Sequence, residues 1–180
     1  STTTFGPKGK ITREQIASMI LSARGLDLAG DSVLDAFAGS GAMALELLSR
    51  GAAHATLVDR DRRAVQRIRR SASSLGVRPE ELSALSGDVF ALAGRGLPGA
   101  PFDVVFLDPP YAVEAPRVSG LVEGLRTSGQ LADGAVIVYE HASDAGGLAC
   151  EGVLLAKSKT HGITTVDLLV ARSSEDQHEQ

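Results

Sequence analysis

Hydrophobic and polar residues alternate along the chain with two periods, one typical of helices and one typical of short buried strands. A capping-box pattern at Thr12 and Gln15 precedes apolar residues at helical spacing, which predicts a helix over 13–24. Apolar runs at 32–37, 55–58, 83–86 and 103–107 then alternate with helical stretches at 42–49 and 62–75. This βαβ alternation predicts an α/β fold with a parallel sheet covered by helices.

The last third of the chain departs from strict alternation. A weaker helix at 117–127 and a strand at 135–139 are followed by two strands at 152–159 and 164–171. The turn at His161 and Gly162 is too short for a helical crossover, so the final two strands are expected to be antiparallel.

Length and composition limit the class of protein. The chain has 180 residues, 43% of them hydrophobic, which predicts one domain over 1–172 and a polar, disordered tail at 173–180. No apolar run approaches the roughly 20 residues that span a bilayer, and residues 1–10 lack a signal-peptide core, so we expect a cytoplasmic protein. Cys150 is the single cysteine and the histidines are scattered, so neither an intrachain disulfide nor a metal site is expected.

The charge is unevenly distributed. The net charge of −4 disfavours a uniformly basic nucleic-acid binder, but six arginines lie between Arg60 and Arg70. Smaller basic groups occur near both ends of the chain, at Lys8, Lys10, Arg13, Lys157 and Lys159. A solvated helix face and a nucleic-acid contact remain equal alternatives for the arginine run.

An apolar strand ends at Asp35 and continues through Gly39 and Gly41 into a helix, within VLDAFAGSGAMALELLSRG. Glycines there let the backbone approach a ligand closely. Gly39, Gly41 and Ala44 also fit the G-x-G-x-x-A dinucleotide pattern, with Asp59 20 residues beyond Gly39. The Asp35 carboxylate would oppose a pyrophosphate but attract the amino group of a methionine moiety, which favours S-adenosylmethionine. A glycine-rich turn without a ligand is the alternative.

Two further carboxylates follow the next strands. Asp59, in VDRD, is placed to accept hydrogen bonds from the ribose hydroxyls of an adenosine, while Asp61 is expected to cap its helix. Asp88, in GDVF, is placed either to accept from an adenine amino group or to cap the helix that follows.

The segment FDVVFLDPPY (102–111) carries the most specific signal. A strand ends at Asp108, and Pro109 and Pro110 fix the backbone without competing amide hydrogens. The Asp108 carboxylate and the Pro109 carbonyl can accept both hydrogens of an exocyclic base amine, which directs the nitrogen lone pair toward a methyl group. Tyr111 can stack on the base. An ordinary turn that ends a strand is the alternative.

Together these segments resemble the RsmD family, the methyltransferases that modify guanine N2 in small-subunit (16S) ribosomal RNA. The markers are LDAFAGSGAMALELLSRGA, VDRD, FDVVFLDPPY, VYEH and KSKTHGITTVDLL, and the similarity covers about residues 7–170. DPPY alone is shared with DNA adenine methyltransferases. The resemblance implies a Rossmann-like class I methyltransferase fold: a seven-stranded, mostly parallel sheet with an antiparallel C-terminal hairpin and helices on both faces.

The resemblance also implies site residues and partners. S-adenosylmethionine is expected beside Asp35, Phe37, Gly39, Gly41, Asp59, Arg60, Asp88, Val89 and Asp108. Catalysis is expected from Asp108, Pro109, Pro110 and Tyr111. Contact with RNA is expected from Lys8, Lys10, Arg13, Lys157, Lys159 and His161. The expected partner is ribosomal RNA or a partly assembled small ribosomal subunit, bound by a monomer.

The chain departs from the family pattern in a few positions, and other functions stay open. The basic, glycine-rich hairpin with which relatives begin has no counterpart in STTTFGPKGK, and His161 stands where tyrosine is common. A DNA adenine-N6 methyltransferase is the first alternative, although it would ordinarily need a target-recognition segment. A nicotinamide oxidoreductase leaves DPPY without a role. A non-enzymatic RNA-binding module would be expected to lose Asp108, Pro109 or Gly39, and all three are present.

Overall fold

The computed structural model describes residues 10–173. Its elements in chain order are α1 (Arg13–Ala23), β1 (Ser32–Asp35), α2 (Ala42–Ser49), β2 (His54–Asp59), α3 (Arg62–Ser74), β3 (Leu82–Ser86), α4 (Val89–Ala93), β4 (Phe102–Leu107), α5 (Ala115–Thr127), β5 (Leu131–Ala142), β6 (Val153–His161) and β7 (Thr164–Ala171). A short 3-10 turn at Pro79–Glu81 precedes β3. Within this part of the chain, no helix combines the length and apolar character that crossing a membrane requires.

All seven strands form one sheet in the order β3-β2-β1-β4-β5-β7-β6. The first five in this order are parallel, and β7 pairs antiparallel with both β5 and β6. The sequence prediction of a mostly parallel sheet with an antiparallel C-terminal hairpin is therefore confirmed.

Helices cover both faces of the sheet. On one face α1, α2 and α3 bury a core that includes Ile20, Leu47 and Ile68. On the other, α4 and α5 pack Leu125 and their other apolar residues against the strands. Successive strand residues alternate between the two cores, as Val33 and Leu34 of β1 do. The strands are thus apolar on both sides, as expected for a covered parallel sheet.

Most predicted bounds agree with the structure to within a residue or two. Helix α2 and strand β7 have the predicted bounds, because glycines flank α2 and the turn at Gly162 precedes β7. One difference stands out: β5 runs from Leu131 to Ala142, well beyond the predicted 135–139. The helix that Asp88 was expected to cap is α4, for which no bounds were predicted. Helix α4 has five residues, which is too short to show a helical period.

Candidate active site

Each of the five parallel strands leads to an acidic residue at the same edge of the sheet. Asp35 and Asp59 end β1 and β2, Asp88 lies two residues beyond β3, and Asp108 directly follows β4. Glu140 lies in β5, directly after the last residue that pairs with β4. Ligands of open parallel sheets bind beyond these carboxyl ends, and this edge is therefore the candidate site.

The loop between β1 and α2 is held in place by Asp59. Gly39 adopts a left-handed conformation with φ of +56°, and its amide donates to Asp59 Oδ2 at 2.8 Å. The other carboxylate oxygen, Oδ1, accepts from the Asp61 amide at 2.8 Å. Among residues 10–173, nothing lies within 4 Å of the position a Gly39 Cβ would take, so the outer side of this loop is open to them.

Gly41 has a different role in the same loop. It caps the N-terminus of α2 with φ of +75°, and an added Cβ would lie 2.9 Å from Ile68 Cγ1 and 3.0 Å from Leu57 Cδ2. Gly41 is therefore required for helix–sheet packing as well as for the turn.

Asp35 is a buried carboxyl group with an incomplete set of partners. Its side chain is only 2% exposed, and Oδ1 accepts no hydrogen bond within the described residues. Burial raises the pKa of Asp35 to about 7, and the nearby Asp108 carboxylate adds to the rise, while the amides of Ala44 and Phe37 partly offset it. An unpaired buried acceptor of this kind fits a cationic ligand group and opposes a phosphate.

A cavity of about 490 Å³ opens beside Asp35, and we call it the inner cavity. Its lining includes Asp35, Phe37, Ser40, Met43 and Phe106, so it combines an acidic group with apolar walls. These residues fit the methionine portion of S-adenosylmethionine, whose ammonium and sulfonium are positive and whose methylene groups are apolar.

Asp88 both caps a helix and takes part in an ion-pair cluster. Its Oδ1 accepts from the Phe90 amide at 3.0 Å, so the helix-capping alternative is confirmed. Its Oδ2 lies 3.2 Å from Arg60 Nη2 and 3.8 Å from Arg117 Nη2. The Arg117 guanidinium lies 4.0 Å above the Phe90 ring.

The surroundings of Asp88 contain two aromatic residues: Phe37, which was expected at the cofactor site, and Phe90, which was not. The Phe37 and Phe90 rings are 5.9 Å apart, while the side chain of Val89 is buried in the core. Phe90 lies on α4, which is too short to show a helical period, so its position beside Asp88 was not predicted. Asp61 caps α3 by accepting from the Arg63 amide, as predicted.

The DPPY turn follows β4 and Asp59 ends β2, so the two lie on opposite sides of Asp35, which ends β1. Tyr111 is 84% exposed, and the Pro110 carbonyl accepts from the Val113 amide. Asp108 is open to solvent on one side and surrounded by protein on the other. This partial desolvation raises the pKa of Asp108, and the positive charge of Lys10 acts in the opposite direction.

A larger groove of about 1120 Å³ lies beyond the DPPY turn, between α5 and the 142–151 loop. Lys10, Asp108 and Glu140 line both this groove and the inner cavity. The two spaces therefore meet at these three side chains, with Pro109, Pro110 and Tyr111 on the groove side.

A buried polar network supports the wall of the groove. His141 Nε2 lies 2.8 Å from Asp167 Oδ2, and Ser158 donates to Asp167 Oδ1 at 2.6 Å. The His141 ring stacks on Tyr139 at 4.7 Å between centroids. The network joins β5, β7 and β6. The VYEH segment was marked in the sequence, but nothing there indicated that His141 and Asp167 would meet across an antiparallel pair.

The predicted RNA-contacting residues are distributed over different surfaces. Lys10 lies at the junction of the two spaces, and Arg13 is exposed at the start of α1. Lys157 and Lys159 pair with Leu168 and Val166, which are buried on the α1 face of the sheet. Directly paired residues point to the same face, so these lysines lie on the α1 side, away from the groove.

Two more of these predictions concern the chain ends. His161 ends β6 and is partly buried. Lys8 lies outside the described residues.

The chain is similar to known proteins along most of its length. The model of the family described as conserved hypothetical protein 95 matches residues 1–170. The chain is 38% identical over 111 residues to ribosomal RNA small subunit methyltransferase D of Escherichia coli, covering 59% of the chain and 51%, or about half, of that enzyme.

Solved structures show the same fold. The Haemophilus influenzae protein HI0767 matches with a TM-score of 0.80 at 24% identity, covering 91% of the chain and all of that protein. A conserved hypothetical protein of Streptococcus pyogenes matches with a TM-score of 0.72 at 31% identity, covering 87% and 95% of the two chains.

Proposed function

Because the chain belongs to the conserved hypothetical protein 95 family and is an RsmD-type methyltransferase, we propose that it methylates the exocyclic N2 of a guanine in small-subunit ribosomal RNA. S-adenosylmethionine is its cofactor, as the family and the acidic, partly apolar inner cavity indicate. The relatives support ribosomal RNA as the substrate, whereas guanine N2 as the methylated atom is our proposal.

The observation that carries the proposal is the position of Asp108 at the junction of the inner cavity and the groove. A group that positions the amine for methyl transfer must face the cofactor on one side and the target base on the other. Asp108 has this position, and the family's DPPY motif begins with it. The inner cavity is therefore assigned to the cofactor and the groove to the target base.

Residues of the inner half of the site would hold the cofactor. The unpaired Oδ1 of Asp35 would accept from its ammonium group, and Asp59 has lone pairs left for ribose hydroxyls after its two backbone contacts. Phe37, Phe90 and the Asp88 cluster would surround the adenine. When bound, the cofactor supplies an electrophilic methyl group on a cationic sulfur.

Residues of the groove half would prepare the amine. Asp108 and the Pro109 carbonyl accept the two hydrogens of the exocyclic nitrogen, which aims its lone pair at the methyl group. A methylated nitrogen would have one proton to lose, and it would lie beside the Asp108 carboxylate. The raised pKa of the Asp108 carboxylate suits it to receive that proton. Tyr111, exposed at the groove, is free to stack on the base.

The function is tested with methyl-labelled S-adenosylmethionine. The protein is incubated separately with small ribosomal subunits lacking the modification, with deproteinised RNA and with DNA, and the labelled nucleoside is identified by mass. Labelled N2-methylguanosine in RNA is the expected result. Labelled N6-methyladenine in DNA would instead support the adenine methyltransferase that also carries DPPY.

The role of Asp108 is tested in the same assay. Asp108→Ala should reduce kcat by roughly 10²- to 10³-fold, because the variant retains only the Pro109 carbonyl as an acceptor for the amine. Cofactor affinity, measured by calorimetry, should stay within about twofold of the wild-type value. Asp144→Ala, on the neighbouring exposed loop, is the matched control. A large loss of cofactor affinity in Asp108→Ala would remove Asp108 from the catalytic role.

A further inference from the structure

Glu140 is a second carboxylate at the junction, and the proposed mechanism leaves it without a role. The last parallel pair of β4 and β5 is Leu107 with Tyr139, so Asp108 and Glu140 each follow a member of the same pair. Both also line the inner cavity and the groove. The register of the sheet therefore places two carboxylates side by side where the target base meets the cofactor.

The Glu140 carboxylate has free acceptor capacity. Within residues 10–173 it accepts no hydrogen bond and forms no salt bridge within 4 Å. Partial burial and the Asp108 charge raise its pKa, and Lys10 lowers it. Lys10 thus offsets the negative charge of both carboxylates. A half-buried acceptor without a partner is available to a ligand that brings hydrogen-bond donors.

The Watson–Crick edge of guanine offers donors in a matching arrangement. Its N1–H lies next to the N2 amine, so the edge presents a row of hydrogens to two adjacent carboxylates. Adenine presents a bare N1 lone pair next to its amine, and a carboxylate would repel that lone pair. A second acceptor beside Asp108 therefore attracts the N1–H of guanine and repels the N1 lone pair of adenine, and both effects favour guanine.

We propose that Glu140 is a specificity-determining residue that accepts the N1–H of the target guanine while Asp108 and Pro109 hold the N2 amine. This inference rests on the proposed function and deepens it, because it assigns the choice of base to a residue outside the DPPY motif. Glu140 takes no part in the transfer itself. It selects the base whose amine enters the transfer position.

The test combines Glu140→Gln with a modified base. The nucleotide labelled in the assay above is replaced, in synthetic RNA, by 2-aminopurine riboside, which keeps the N2 amine but has a lone pair at N1. The wild-type protein should lose kcat/KM on the order of 10- to 100-fold on 2-aminopurine relative to guanine, because the charged hydrogen bond cannot form. In Glu140→Gln, the amide can donate to N1, so this ratio should approach one.

Glu80→Gln is the matched control, since Glu80 lies in the exposed turn before β3 and lines neither the groove nor the inner cavity. It should keep the wild-type ratio. Comparing the two bases within each variant at saturating cofactor separates recognition of the base from cofactor binding.

The outcomes separate the two proposals. If the wild-type protein forms no N2-methylguanosine, the proposed function fails. If it forms N2-methylguanosine but Glu140→Gln keeps the wild-type ratio of guanine to 2-aminopurine, the assignment of Glu140 alone fails. Should Glu140→Gln not fold, equal wild-type rates on guanine and 2-aminopurine would overturn the assignment without the variant.

Discussion

The Asp35 carboxyl group keeps its proton up to a higher pH than exposed carboxyl groups do. Burial first, and Asp108 second, raise its pKa to about 7. A cationic cofactor favours the ionised carboxylate, so below pH 7 the proton must leave when the cofactor binds. Cofactor affinity should therefore rise with pH, by at most tenfold per unit below pH 7, and flatten above it.

Calorimetry between pH 5.5 and 8.5 measures this dependence, together with the number of protons released. Asp35→Asn should bind more weakly and lose the part of the slope that Asp35 causes, which separates it from any titration of the cofactor's own amine. An unchanged slope in Asp35→Asn would mean that Asp35 stays ionised in the free protein.

Single residues show which parts of the site can be predicted from sequence. Asp35, Asp59 and Asp108 were found because each ends an apolar run, and such runs predict strands whose ends meet at one edge. Glu140 also directly follows a predicted strand, at 135–139, but it was marked only as part of VYEH and no role was derived for it. The strand continues to Ala142 since Thr164 and Thr165 of β7 supply its partners, and that pairing is not local in sequence.

At the scale of elements, the junction of β1 with α2 depends on Gly41. Gly41→Ala should lower the free energy of unfolding by roughly 2–4 kcal/mol, because a left-handed backbone and overlap with Ile68 and Leu57 add together. Urea unfolding measures the change. Gly134→Ala in β5 is the control, since Gly134 has φ of +71° but no atom of the described part of the chain within 4 Å of its Cβ position. Its loss should be about 1–2 kcal/mol. Equal losses would contradict the packing argument.

The β6–β7 hairpin carries the second element-scale prediction. Replacing Lys157 and Lys159 with glutamate should weaken RNA binding and reduce its salt dependence, by about 0.7 in slope for each phosphate that the variant no longer neutralises. Binding titrations at several salt concentrations measure both effects. If the slope is unaltered, the lysines do not bind phosphate.

Helix α3 provides a control with the same change of charge. It packs beside β2 and β3, at the opposite end of the sheet from β6. Arg62→Glu with Arg63→Glu should leave the slope unchanged if the arginine run is a solvated helix face. A reduced slope would instead extend the RNA interface to α3.

At the scale of the whole molecule, the strand order shows what the sequence pattern left open. An antiparallel final pair was predicted, but not that β7 would lie between β5 and β6. The physical reason is burial: β7 has a run of apolar residues buried on both faces, whereas β6 is mostly exposed and carries Lys157 and Lys159. Charged residues suit an edge strand, and an apolar strand requires neighbours on both sides.

Asp35 should also lower the free energy of unfolding of the whole molecule as the pH rises. A carboxyl pKa raised by folding stabilises the protein fully below the unfolded pKa of 3.8, and this contribution is lost as pH rises to about 7. The rise corresponds to on the order of 4 kcal/mol, an upper estimate. Asp108 and Glu140 act in the same direction, so Asp35→Asn isolates one contribution.

Urea unfolding without cofactor at pH 5 and pH 8 should show a smaller difference in Asp35→Asn than in the wild type, with the variant more stable at pH 8. Saturating cofactor should oppose the loss at pH 8 in the wild type, because the bound cation compensates the ionised carboxylate. A variant less stable than the wild type at pH 8 without cofactor would mean that ionised Asp35 has a further partner in the free protein, besides the amides of Ala44 and Phe37.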